Sequence, residues 1–262
     1  MLWFVNSSDP AAQIRQGLQH DPASAGALAA ALVPDLTTVP IGETTLAAAA
    51  NPEADQIFVG VYGSLSVVTS PVLAASKPST VPESWIAALP AELTILLHTE
   101  PEASLGAFAR WEAGELRRSF SANPVDILEN IGLPFVFEGS FWAGDHPLVY
   151  AEGAQPDPQA LPFHPQEFAE QAIREWLGFR FTTPLESTDT DPATITVSGF
   201  AIRPKGYEPT EADVELGLSS SNTPAPHAPT RNDPTSNGST PEGSEPHTPG
   251  RVARWFGFGS KS

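Results

Sequence analysis

The sequence predicts an α+β domain, a mixed, largely antiparallel sheet with packed helices, followed by a disordered C-terminal tail. Three observations carry that reading. Short apolar bursts rich in β-branched and aromatic residues adjoin one another without intervening helical pattern, as hairpin-connected strands do. A hairpin pattern is clear at Leu105–Trp111, turn Glu112-Ala113-Gly114 and Glu115–Ser121. Finally, the composition changes sharply near Arg203-Pro204, beyond which Lys205 to Gly250 is rich in Pro, Ser, Thr, Asn and Gly. That stretch holds few large apolar side chains besides Tyr207, Val214, Leu216 and Leu218, too few to offset the entropy of ordering it.

The elements follow in chain order. Leu2–Asn6 reads as a strand. Asp9-Pro10 supplies a cap and a first-turn proline for a helix running to about Leu18. Ser24 to Leu32 is Ala-rich and helical, and Pro34 ends it. Thr37–Ile41 reads as a short strand, and Thr45–Ala50 as a helical turn or two before Asn51-Pro52. Gln56–Tyr62 and Leu65–Thr69 are strands around the turn residues Gly63-Ser64. The uncharged run Ile57 to Ser76 has the length of a membrane span, but its internal Gly, Ser, Thr and Pro residues favour two strands. Pro82–Leu89 reads as a short helix and Leu93–His98 as a strand. Pro165–Gly178 is the strongest helix: Phe168, Ala172 and Leu177 or Trp176 form one stripe, with Glu167, Glu170 and Glu175 directed outward and Gly178 closing the end. Phe179–Thr182 and Thr194–Ile202 complete the predicted strands. This divides the chain into an acidic domain over 1–203, a Pro/Ser/Thr-rich linker over 204–249 and a terminal motif over 250–262.

Composition removes several function classes. The 262 residues contain no cysteine, which excludes disulfide scaffolds, thiolate metal sites and cysteine nucleophiles. The net charge is -18, and residues 1–203 alone carry 8 basic and 24 acidic side chains. Such a balance argues against nucleic acid as a partner, because backbone binding needs surplus Lys and Arg. There is no P-loop, no G-x-G-x-x-G after the first strand and no G-x-S-x-G elbow. The N-terminus lacks a basic region and reaches polar residues within five positions, unlike a signal peptide, so the expected compartment is the cytoplasm.

Three groups of residues invite a functional reading. Pro134 to Pro147, followed by Leu161-Pro162-Phe163-His164-Pro165, gathers aromatics with His146, His164, Asp145 and Glu138, and Glu129 and Glu167 lie nearby in sequence. These are the side-chain types of a His/carboxylate metal or acid–base site, but no H-x-H or H-x-x-x-H pair shares one element. The alternative is packing: Phe141, Trp142 and Phe163 fill space under a long loop, and the histidines bond backbone. Trp142 is also a candidate for contact with a small ligand. Second, Arg110, Arg117 and Arg118 crowd one hairpin, where they either clamp an anion or neutralise neighbours such as Asp126 and Glu129. Third, residues 250–262 turn basic and aromatic, with Arg251, Arg254, Trp255, Phe256 and Phe258 suited to docking on a protein partner. Three cations and one turn of apolar residues make a weak membrane anchor, so membrane contact is not expected.

The segments Asn130-Ile131-Gly132-Leu133-Pro134, Phe141-Trp142-Ala143-Gly144-Asp145-His146-Pro147 and Leu161-Pro162-Phe163-His164-Pro165 resemble a family of uncharacterised proteins of high-GC Gram-positive bacteria, a domain of unknown function. The hairpin Phe108–Ser119 and the opening strand with Asp9 fit as well, so the resemblance spans roughly residues 2–203. Members often carry a few more residues before the first strand, and the long tail departs from the pattern. The resemblance implies one intracellular α+β domain and brings no activity, cofactor or site residue. The residues then support a non-catalytic cytoplasmic interaction protein with a tail-borne aromatic–basic docking motif. The alternative is a hydrolase or metal-dependent enzyme built on His146, His164, Asp145 and Glu138, and no cofactor is predicted for the chain.

Overall fold

Leu2-Trp3-Phe4-Val5 has no polar position, so a strand made of it must be covered on both faces. The fold meets that demand by placing this strand, β1 (Leu2–Val5), inside a sheet clad with helices on either side. The computed structural model describes residues 1–148, 158–210 and 213. β1 pairs with β4 (Leu65–Thr69) and β5 (Leu93–Glu100). The remaining strands are β2 (Leu36–Thr45), β3 (Gln56–Val61), β6 (Leu105–Glu112), β7 (Glu115–Ala122), β8 (Ile127–Gly132) and β9 (Thr196–Pro204). Their spatial order is β2-β9-β3-β4-β1-β5-β6-β7-β8.

Every ladder of this nine-stranded sheet is antiparallel. The α+β domain with a largely antiparallel sheet and packed helices expected from the sequence is the observed architecture, and its ladders are antiparallel throughout. Parallel pairing occurs among the described residues only as an isolated bridge between Phe179 and Thr190. The predicted strand Phe179–Thr182 is reduced to that bridge, because Gly178 takes a left-handed conformation (φ 74°) and turns the chain away from the sheet.

Side-chain alternation divides the core in two. Trp3, Val5, Ile95, Leu97, Phe108 and Phe120 face α1 (Pro10–Arg15) and α5 (Pro165–Leu177). Leu2, Phe4, Leu96 and Trp111 face α2 (Pro22–Leu32) and α3 (Glu83–Ile86). The first two helices start as their sequences direct. Asp9 accepts from the Ala12 N–H at 3.0 Å, Asp21 accepts from the Ala23 and Ser24 N–H groups, and a proline follows each cap. α1 is shorter than expected, ending at Arg15 because Gly17 enters the left-handed region (φ 95°). β2 extends to Thr45, and the predicted helical turn contracts to a 3-10 turn at Ala48–Ala50.

α5 carries Phe168, Ala172 and Leu177 inward as predicted, with Gly178 closing its end. Glu170 does not project outward. It is buried, and its carboxylate accepts from the Thr182 N–H at 2.9 Å and the Thr182 hydroxyl at 2.8 Å. Burial raises its pKa, and the Thr182 bonds only partly offset that. The start of α5 crosses β6 at Gly106, where an added Cβ would lie 2.0 Å from the Pro165 carbonyl oxygen. Gly106→Ala should therefore lower stability by about 2–3 kcal/mol in urea unfolding, because neither backbone can yield. Gly139→Ala, with nothing within 4 Å of the added carbon, is the control and should change stability by less than about 1 kcal/mol.

Candidate functional site

The three strands β6, β7 and β8 end the sheet, and the chain that leaves β8 folds back over them. Gly132 makes the turn with φ 82°, pressed so closely on β7 that a Cβ would meet the Arg117 carbonyl oxygen at 2.0 Å. The returning chain forms α4 (Glu138–Trp142), a five-residue helix not evident in the sequence, as β8 was not. A buried ion pair holds α4 down. Arg118 Nε donates to Glu138 Oε1 at 2.9 Å and Nη2 to Oε2 at 2.7 Å, with both side chains fully enclosed. Arg118 Nη1 donates to Asn130 Oδ1 at 2.7 Å and to the carbonyls of Ile131 and Ser119. Glu138 also accepts from the Phe135 N–H at 3.0 Å. The guanidinium lies 5.9 Å from the Phe108 ring centre and 5.6 Å from that of Phe120.

The three hairpin arginines do not converge on one anion site. Arg118 is spent on Glu138. Arg110 and Arg117 share Glu112, at 3.0 and 3.2 Å, and Arg110 also lies over the rings of Phe135 and Trp176. Their partners are thus Glu112 and Glu138, rather than the neighbours Asp126 and Glu129 that the sequence suggested. Glu129 sits on the opposite face of the sheet, bonded to the Ser79 hydroxyl at 2.5 Å, to the Ser79 N–H and to the Ser119 hydroxyl.

The His/carboxylate cluster is likewise divided. Glu138 is consumed by Arg118. His164 caps α5, its Nδ1 accepting from the Gln166 N–H at 3.3 Å, and burial lowers its pKa, which suits a neutral ring at a helix N-terminus. Asp145 is exposed, and its N–H donates to the Ser140 carbonyl at 3.0 Å. Among the described residues no group of three or more His, Asp or Glu is placed to hold a metal ion. Trp142 is 39% exposed, with its edge against Phe120, Phe163 and Phe168.

The partners of His146 among the described residues are side chains. Its ring stacks on Phe141 at 3.7 Å and 7°, its Nε2 is 3.0 Å from the Ser140 hydroxyl, and its Nδ1 faces Glu167 at 3.9 Å. Ser140 escaped the sequence reading because nothing in its neighbourhood marks α4, and the alignment exists only once α4 and α5 meet.

The outer margin of this region is apolar. β8 is the last strand of the sheet, with Ile127 and Ile131 both exposed, and the loop beyond it presents Leu133 at 85% and Val136 at 99% exposure. No sequence signal distinguished these from core residues. The terminal candidates Arg251, Arg254, Trp255, Phe256 and Phe258, with most of the linker, lie outside the described residues.

Arg118→Met should cost about 3–5 kcal/mol in denaturant unfolding, because it leaves Glu138 buried without a counter-charge. The pair Arg118→Met with Glu138→Leu should cost less than Arg118→Met alone, and the resulting coupling energy measures the ion pair.

No helix of the described residues is long and apolar enough to cross a membrane. Comparison with curated proteins and with solved structures finds no match to the chain. A family model described as a family of unknown function (DUF6928) matches residues 1–200, and the chain belongs to that family.

Proposed function

We propose that the protein is a cytoplasmic interaction protein whose docking surface is the apolar outer edge of the sheet. The observation that carries this is the exposed apolar group of Ile127 and Ile131 on the edge strand with Leu133 and Val136 in the loop that follows it. An edge strand offers unpaired backbone donors and acceptors, and apolar side chains beside it give an incoming extended segment something to bury.

The occupant is the chain's own segment 250–262, folding back from the far side of the sheet. Its Trp255, Phe256 and Phe258 supply apolar anchors, and Arg251, Arg254 and Lys261 suit a domain with 24 acidic against 8 basic side chains. The reach also fits. β9 lies seven strand spacings from β8, about 34 Å. About 40 residues separate Thr210 from Gly250, a chain length sufficient to reach across that distance. A tether long enough to span the gap raises the local concentration of the segment at the edge. A protein carrying a similar basic–aromatic segment then competes for the edge, and that competition is the function we infer.

The test titrates a labelled peptide of residues 250–262 into the full chain and into a chain ending at residue 249. The peptide should bind the shortened chain, bind the full chain at least 10-fold more weakly, and weaken with added salt. Leu133→Ser with Val136→Ser should abolish binding to the shortened chain. Equal binding to both chains refutes the fold-back, and no binding to the shortened chain refutes the surface.

A further inference from the structure

We propose that Ser140 is a nucleophile activated by His146, a reactive hydroxyl for small carboxylic esters, independent of the docking surface above. Three side chains from α4, the loop after it and α5 form a hydroxyl–imidazole–carboxylate row. Ser140 Oγ is 3.0 Å from His146 Nε2, and Glu167 Oε1 is 3.9 Å from His146 Nδ1 on the other side of the ring. The carboxylate opposite Nδ1 favours the tautomer with its proton there, which leaves the Nε2 lone pair for the serine hydroxyl. Phe141, stacked flat on the imidazole, fixes its plane, so the ring keeps both partners aligned. The hydroxyl's single proton is shared between two acceptors, the Phe137 carbonyl at 3.1 Å and His146 Nε2, and attack on a substrate requires that it turn to His146.

The surroundings are open enough for a substrate. Ser140 and His146 are part-exposed, and a Cβ added to Gly139 or Gly144 would meet nothing within 4 Å. Neither glycine carries a side chain to crowd that surface.

The chemistry closes without a cofactor. Ser140 Oγ attacks the ester carbonyl carbon as its proton passes to His146 Nε2. The C–O bond to the alcohol breaks, and the alcohol leaves with that proton. Water then adds to the acyl-serine, again giving a proton to His146, and the carboxylic acid departs as Oγ is reprotonated. Glu167 touches neither substrate nor Oγ. It is a positioning residue that orients the ring and faces the imidazolium.

The experiment treats the full chain with an alkyl fluorophosphonate, whose P–F bond breaks as Oγ–P forms, fluoride leaves and the proton goes to His146. Peptide mass spectrometry locates the adduct, and p-nitrophenyl acetate hydrolysis gives a second rate. The proposal expects one adduct, on Ser140, absent in Ser140→Ala. It expects labelling and hydrolysis about 100-fold slower in His146→Gln at unchanged melting temperature. Glu167→Gln should slow both at unchanged melting temperature, and Glu167→Asp should restore part of the loss. An unlabelled Ser140, labelling spread over many serines, or equal rates in His146→Gln overturns it.

Discussion

The ion pair between Arg118 and Glu138 governs the part of this protein where function is to be sought. Two opposite charges are enclosed between the sheet and α4, and almost every hydrogen-bonding position on them is filled. The guanidinium reaches a carboxylate, an asparagine and two carbonyls, while the carboxylate also takes the Phe135 N–H. A buried pair of this kind adds little net stability over an apolar replacement, but it tolerates few alternative arrangements. Here it dictates where the chain after β8 must run. Ser140, Trp142 and the exposed loop at Leu133–Val136 all follow from that path.

The second constraint is the two-sided burial of the sheet. Antiparallel sheets commonly leave one face to water, whereas here helices cover both. α5 is the decisive cover on one side, and it approaches closely only because Gly106 has no side chain beneath Pro165. The same helix brings Glu167 towards His146 and turns Glu170 inward to Thr182. Packing of one helix thus links the core to the polar row on the surface.

Local chemistry made much of the fold legible. The aspartate–proline start of α1, the Ala-rich body of α2, the hairpin of β6 and β7, and the amphipathic stripe of α5 each depend on residues close in sequence. The Asp21-Pro22 start of α2 was not read from the sequence. The elements that were missed have no such local mark. β8, Ile127–Gly132, contains a glutamate and an asparagine that only make sense once Glu129 reaches Ser79 and Asn130 reaches Arg118. α4 is five residues long and lacks a side-chain cap, so its helicity comes from the contacts of Glu138 and Phe141 rather than from propensity.

The candidate residues divide in the same way. The lack of cysteine removed thiolate chemistry and the lack of the glycine-rich motif removed phosphate-loop chemistry, while local clustering singled out His146, Arg118 and Glu138 as candidates. Which of them work together was a matter of tertiary structure. Glu138 and Arg118 were read as members of separate sites and are each other's partner. His146 was set beside His164 and Asp145, yet its bonded neighbours are Ser140 and Phe141, with Glu167 beyond. Secondary structure and amphipathic faces follow from interactions within a few residues, which a sequence displays directly. The pairing of side chains twenty or more residues apart depends on which face of the sheet each element covers, and only the folded chain decides that.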